Sequence, residues 1–252
     1  MLSKRHTEIL QILEAEGSIS ISALARRLGV SLETIRRDVK PLGQAGTVVR
    51  IHGAVGLAGQ IGEAPFDKRM RENAAAKQAI ARAVADMIRD GDSVMLDTGT
   101  TTSFVARELT RRRRLTVVTN SSDIARTLAT VNGNRVYMAG GELRSDSGAA
   151  FGKSALDFVN QFTVAHAIIS ASAVNETGVI DLDLEEAEIG RLMLSRAEKR
   201  LVVTDSSKFG RRGLIHVCAF SDLNCLVTDE APPPAIAGAL AEAGAMLRVA
   251  AP

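Results

Sequence analysis

Val94-Met-Leu-Asp-Thr-Gly-Thr-Thr-Thr-Ser103 decides the fold. A short apolar run ends at Leu96, a polar turn with a glycine follows, and a helical pattern opens at Thr102 and continues to Leu109. Strand, glycine turn and helix N-terminus in that order are the unit of an α/β layer. The open N-terminus of such a helix gathers backbone N–H groups and hydroxyls, which suits a phosphate. Asp97, Gly99, Thr100, Thr101 and Thr102 are therefore the first candidate ligand contacts.

The same grammar repeats outward from this stretch. Further apolar runs lie at 115–118, 136–138, 167–169, 201–203 and 225–227, with helical patterns around 76–88, 122–129, 185–197 and 236–243. Such alternation predicts a buried parallel sheet covered by helices on both faces. Polar turns follow three more of the runs: Thr119-Asn120-Ser121, Gly140-Gly141-Glu142, and Asp205 to Gly210 with Lys208 as a point charge. In a parallel sheet these turns share one edge, the edge where α/β proteins bind ligands. The carboxylates Asp181, Asp183, Glu185 and Glu186 open a helix. They can serve its dipole, accept from sugar hydroxyls or act as a base, and their spacing does not choose.

Toward the N-terminus the pattern changes. Ile9, Leu10, Ile12 and Leu13 make a helical stripe that Gly17 stops. Ser20 caps a second helix ended by Gly29, and Ser31 caps a third carrying Ile35, Val39 and Leu42 on one face. Two short helices joined at 29–31 have the proportions of a helix-turn-helix. The β-branched stretch 47–55, broken by Gly53, reads as a two-stranded wing, and Leu57 to Pro65 as a linker. Ser31 opens the third helix, Thr34, Arg36, Arg37 and Lys40 project from it, and Arg50 and His52 lie on the wing. All are placed to meet bases and phosphates. Pro41 removes a helical hydrogen bond and predicts an early end or kink.

Charge supports this division. Residues 1–56 hold eight Lys/Arg against five Asp/Glu, leaving 23 against 24 for the rest, and six of those eight cations lie between Leu24 and His52. That is the footprint of a small nucleic-acid reader on a near-neutral body. With 46% hydrophobic residues the 252-residue chain has ample core, and no apolar run of about 18 residues predicts a membrane span. Two cysteines, 218 and 225, and four scattered histidines predict a cytoplasmic protein without disulfide framework or metal. His216-Val-Cys218 puts two possible ligands on one strand face, with no third nearby. The basic run 111–114 reads as a solvated loop.

Taken in order, Thr34-Ile-Arg-Arg-Asp38, Arg50-Ile-His-Gly53, Phe66-Asp-Lys-Arg69, Asp97-Thr-Gly-Thr-Thr101, Val118-Thr-Asn120, Gly140-Gly-Glu-Leu143 and Asp205-Ser-Ser-Lys-Phe-Gly210 resemble the deoxyribonucleoside-regulator (DeoR) family of bacterial repressors along almost the full chain. The resemblance implies a winged helix-turn-helix at 1–56, a linker at 57–65, and at 66–252 an effector-sensing domain related in fold to ribose-5-phosphate isomerase. It implies double-stranded operator DNA as partner, a phosphorylated sugar or polyol such as glycerol 3-phosphate as effector, and a homo-oligomer, dimer or tetramer. No cofactor and no catalytic residue are expected. The competing reading is a sugar-phosphate isomerase that gained a DNA-binding arm. Such isomerases carry a catalytic Glu in an Arg-Glu-Lys setting after a glycine-rich lysine loop, and this sequence has no such segment.

Overall fold

The computed structural model describes residues 3–16, 18–51, 54–57 and 63–251. The chain divides into two compact units, Met1–Lys68 and Arg69–Pro252.

In the first unit α1 (Lys4–Glu16), α2 (Ile21–Leu28) and α3 (Leu32–Gln44) enclose a core of Ile9, Leu13, Leu24, Ile35, Val39 and Leu42. The caps read from sequence are in place. The Ser20 hydroxyl accepts from the Ala23 N–H at 3.1 Å, that of Ser31 accepts from the Thr34 N–H at 3.1 Å, and Gly29 closes α2 with φ +64°. Pro41 does not end α3, which runs three residues past it. The buried Leu42 anchors the final turn, and the Pro41 carbonyl still accepts from the Ala45 N–H. The wing gains a strand. β1 (Ser18–Ser20) pairs with β3 (Ala54–Leu57), which pairs with β2 (Val48–Ile51). Leu57, read as the first linker residue, pairs with Val48. His52 and Gly53, like most of the predicted linker, lie outside the described residues.

The second unit is built on a parallel sheet of seven strands among the described residues, in the order β13-β12-β10-β7-β4-β5-β6. These are β4 (Ser93–Leu96), β5 (Thr116–Thr119), β6 (Arg135–Met138), β7 (Val164–Ser170), β10 (Ala197–Val203), β12 (Cys225–Thr228) and β13 (Met246–Val249). Alternate residues feed opposite faces. Val94, Leu96, Val117, Ile168, Leu201 and Val203 pack with α5 (Ala74–Ala85), α6 (Thr100–Leu109) and α7 (Ser122–Ala129). Met95, Val118, Ala167, Ile169 and Val202 pack with α8 (Gly152–Val159), α9 (Leu184–Ser195) and α10 (Pro234–Glu242). Both faces are covered, as the continuous apolar runs require. From β4 the chain steps one way to β5 and β6, then crosses to β7 on the other side. The switch point therefore lies between β4 and β7.

The unit also carries an antiparallel sheet of β8 (Ala173–Asn175), β9 (Gly178–Asp181) and β11 (Ile215–Cys218), inserted around α9. A register shift between His216 and Cys218 leaves the first exposed and the second buried, so the two do not share a face. Burial pushes the Cys218 thiol up to about 12, which keeps it protonated and unreactive. The basic run is only partly solvated, because the Arg112 guanidinium donates to the Ala85 carbonyl that ends α5, at 2.8 and 3.2 Å.

Candidate functional site

On α3 the apolar stripe Ile35, Val39 and Leu42 is buried, and Arg36, Arg37 and Lys40 are exposed. Thr34 is half-buried, its hydroxyl 2.8 Å from that of Ser31 across the cap. Arg36 lies 3.6 Å from Glu33 one turn back, an exposed pair that water and phosphate can compete for. Asp38, an acid within a basic helix, is buried and pairs with Arg5 of α1, which locks α3 against α1. Sequence reasoning missed this pair, whose partners stand 33 residues apart. Arg50 occupies β2 opposite Val55.

In the second unit the predicted contacts line the carboxyl ends of four strands, and the turn after a fifth, β7, lies among them without having been predicted. Across the edge run Gly140 to Glu142 after β6, Thr119 to Ser121 after β5, Asp97 to Thr102 after β4, Ser170 to Ser172 after β7, and Thr204 to Lys208 after β10. At the switch point Asp97 is buried, and one carboxylate oxygen accepts from the Ser170 N–H at 2.9 Å and the Ser170 hydroxyl at 3.2 Å. The Thr102 hydroxyl lies 3.0 Å from the carbonyls of both Asp97 and Gly99, which closes the turn. Gly99 takes an extended backbone and gives α6 no side-chain cap, so first-turn N–H groups lack a partner of that kind. Thr100 and Thr101 are buried beside it.

The neighbouring turns are knit to their surroundings. Thr119 accepts from the Ser121 N–H, and Asn120 donates its amide to the Ala150 carbonyl at 3.1 Å while its own side-chain oxygen stays buried without a hydrogen bond. The Asp205 carboxylate caps the short turn carrying Lys208, accepting from the Ser207 N–H and, at 3.0 Å, from the Asn73 amide. Lys208 is half-buried; Gly141 and Glu142 are exposed. A separate groove of about 200 Å³, lined by Arg191, Leu194, Arg200 and Cys218 among others, contains none of the predicted contacts.

Residues 5–60 match the DeoR-like helix-turn-helix domain and residues 72–230 the DeoR C-terminal sensor domain. The glycerol-3-phosphate regulon repressor of Escherichia coli (strain K12) is 33% identical over 92% of both chains. The chain belongs to the DeoR family. The HTH-type transcriptional repressor CsqR of the same organism is 34% identical over 92% of this chain and 89% of its own. A ribose 5-phosphate isomerase A from Methanocaldococcus jannaschii aligns over 56% of each chain at 18% identity, with a TM-score of 0.42. This DeoR protein is a DNA-binding transcriptional repressor with a helix-turn-helix reader and an α/β sensor.

The DeoR sensor carries a buried acid at the switch point and a group of acids at the start of α9. Burial raises the Asp97 carboxyl to about 7, opposed by the Ser170 hydrogen bonds and reinforced by the like charge of Asp181. The folded protein therefore holds a proton that the unfolded chain releases near pH 4. Stability from this group is fully present below that value and is lost as pH rises toward 7. Relative to Asp97→Asn, which keeps an acceptor for Ser170, the parent should lose on the order of 4 kcal/mol between pH 4 and 8. Chemical denaturation of both proteins across that range checks it, and parallel curves would remove Asp97 as the titrating group.

The second feature is the acid group at the start of α9. Asp183 is the N-cap, accepting from the Glu185 and Glu186 N–H groups, and Asp181 accepts from the N–H groups of Leu182 and Asp183. Asp183, Glu185 and Glu186 all bind Arg144. Arg144 stood in no predicted site, and its partners lie 39 to 42 residues away.

Proposed function

We propose that residues 1–56 of this repressor read operator DNA through Thr34, Arg36, Arg37, Lys40 and the wing, and that a phosphorylated polyol or sugar bound at the strand ends of residues 66–252 releases it. The observation that carries the effector reading is the α6 N-terminus at the switch point. Its N-cap glycine leaves first-turn N–H groups without a side-chain partner, where backbone donors favour an anion. Lys208 adds positive charge, and Asp97 and Glu142 suit the ligand's hydroxyls. Glycerol 3-phosphate is the first compound to test, because a relative covering 92% of the chain is named for that regulon.

The sensor binds without turnover. The chain lacks the Arg-Glu-Lys segment of sugar-phosphate isomerases, and ribose 5-phosphate should remain unconverted after prolonged incubation. One winged helix has a small footprint, so the protein works as a homo-oligomer that reads two half-sites together. Light scattering should give at least a dimer at micromolar concentration.

The deciding experiment titrates an operator complex with glycerol 3-phosphate, ribose 5-phosphate and glycerol. A phosphate ester should release the DNA and glycerol should not, with a coupling of about 1 to 3 kcal/mol. Thr100→Val and Lys208→Ala should lose the response. Arg36→Ala and Arg37→Ala should each weaken operator binding by about 1 to 3 kcal/mol where the side chain reads a base. An unchanged response in both sensor variants removes the effector site, and operator binding unchanged in both arginine variants removes the DNA interface.

A further inference from the structure

The segment between β6 and α8 folds back on itself. The Arg144 N–H donates to the Ala149 carbonyl and the Gly148 N–H to the Arg144 carbonyl, each at 2.8 Å, and Leu143 bridges Ala150. On one side this hairpin is fastened to the β5 turn. Ala150 donates to the Asn120 carbonyl and accepts from the Asn120 amide, and Gly148 accepts from the Ser122 N–H. On the other side one side chain fastens it to α9. The Arg144 guanidinium forks onto Asp183 at 3.1 and 3.2 Å, reaches Glu185 at 2.7 Å and Glu186 at 3.1 Å, and lies over the Phe151 ring at 4.2 Å.

From this clasp we infer that Arg144 is the positioning residue of the effector site: it holds the Gly140–Ala150 hairpin as a preformed wall beside the strand ends. The inference rests on the effector reading above. Gly140 to Glu142, the hairpin residues proposed to meet ligand, have little to hold them. Gly141 and Glu142 are exposed, and Gly140 accepts one 3.4 Å hydrogen bond from Ser154. Their place is therefore set by what grips the hairpin. Arg144 is suited to that task because its planar fork meets several carboxylates at once and stacks on an aromatic face, which an ammonium cannot do. Removing it also leaves three carboxylates crowded at the start of α9 without their cation, which costs stability there in addition to freeing the hairpin. The wall then has to be ordered by the ligand itself, at a cost in affinity.

The test uses the full-length protein as Arg144→Met, Arg144→Lys and the triple variant Arg144→Met/Glu185→Gln/Glu186→Gln, which relieves the repulsion. Three quantities are measured: amide exchange of the 140–151 peptide without ligand, the Kd for glycerol 3-phosphate, and operator affinity without ligand. Arg144→Met should exchange faster at Arg144, Gly148 and Ala150 and bind glycerol 3-phosphate roughly tenfold more weakly or worse, with operator affinity unchanged. Arg144→Lys should fall between. The triple variant should recover thermal stability but not ligand affinity, a split that a merely structural salt bridge would not give. Unchanged exchange overturns the inference, as does faster exchange with unchanged Kd, or recovery of ligand affinity in the triple variant. A parent protein that binds no phosphate ester fails at the earlier step and takes the effector reading down first.

Discussion

Replacing Gly99 with alanine will destabilise the sensor unit by about 3 to 5 kcal/mol and abolish its response to effector. The backbone there is extended, so the penalty does not come from φ. It comes from space. A Cβ at this position would stand 2.0 Å from the Ser170 hydroxyl and 2.7 Å from the Ser170 Cβ, with the Thr102 hydroxyl at 3.1 Å. Neither neighbour is a loose side-chain end. Ser170 holds the buried Asp97 carboxylate, and Thr102 closes the turn, so relief of the clash breaks the contacts that shape the switch point. Leaving the buried Asp97 carboxyl without its Ser170 partner costs about 1 to 3 kcal/mol, and overpacking adds a similar amount. Gly140→Ala is the control, since an added Cβ there meets nothing within 4 Å. The double variant Gly99→Ala/Ser170→Gly removes the obstacle and should regain much of the stability without regaining the response. Denaturant midpoints for the four proteins decide it, and a Gly99→Ala midpoint equal to the parent's would mean that the approach of β4 to β7 is looser than drawn.

Gly99 also illustrates what could be read in advance. The turn Asp97 to Ser103 was legible because its polar residues interrupt apolar runs that only a buried parallel sheet explains. The alternation of those runs placed four polar strand ends on one edge. The caps Ser20, Gly29 and Ser31 were legible for a similarly local reason. Contacts between residues far apart in sequence left no such trace. Ser170 was unremarkable until β7 was set beside β4, and Arg144 gave no sign that three acids 39 to 42 residues later would surround it. The antiparallel sheet of β8, β9 and β11 escaped notice because Asn175, Gly178, Asp181 and His216 interrupt its strands, which therefore show no continuous apolar run. β13 was hidden among alanines. Pro41 misled because a local rule was applied without the buried Leu42 that outweighs it.

Ile35→Ala should abolish operator binding at 37 °C while leaving the sensor's response to a phosphate ester intact. Ile35 is fully buried in the core of the first unit, with Ile9, Leu13, Leu24, Val39 and Leu42. Truncating such a side chain costs about 2 to 5 kcal/mol, and a unit of fewer than 70 residues has little more than that to lose. Helix α3 is held in place by Ile35, Val39 and Leu42 together, and Arg36 and Arg37 follow Ile35 directly, so loosening this seam misdirects both arginines before the unit melts. Two variants separate orientation from contact. Ile35→Val should cost about 0.5 to 1.5 kcal/mol and keep most of the operator affinity. Arg36→Ala should weaken binding with no comparable loss of stability, because its side chain is exposed and its pair with Glu33 is a surface one. The sensor has its own two-sided core, so the thermal shift that glycerol 3-phosphate induces in it should survive in all three. An Ile35→Ala protein that binds operator as the parent does would place the DNA-reading surface somewhere other than α3.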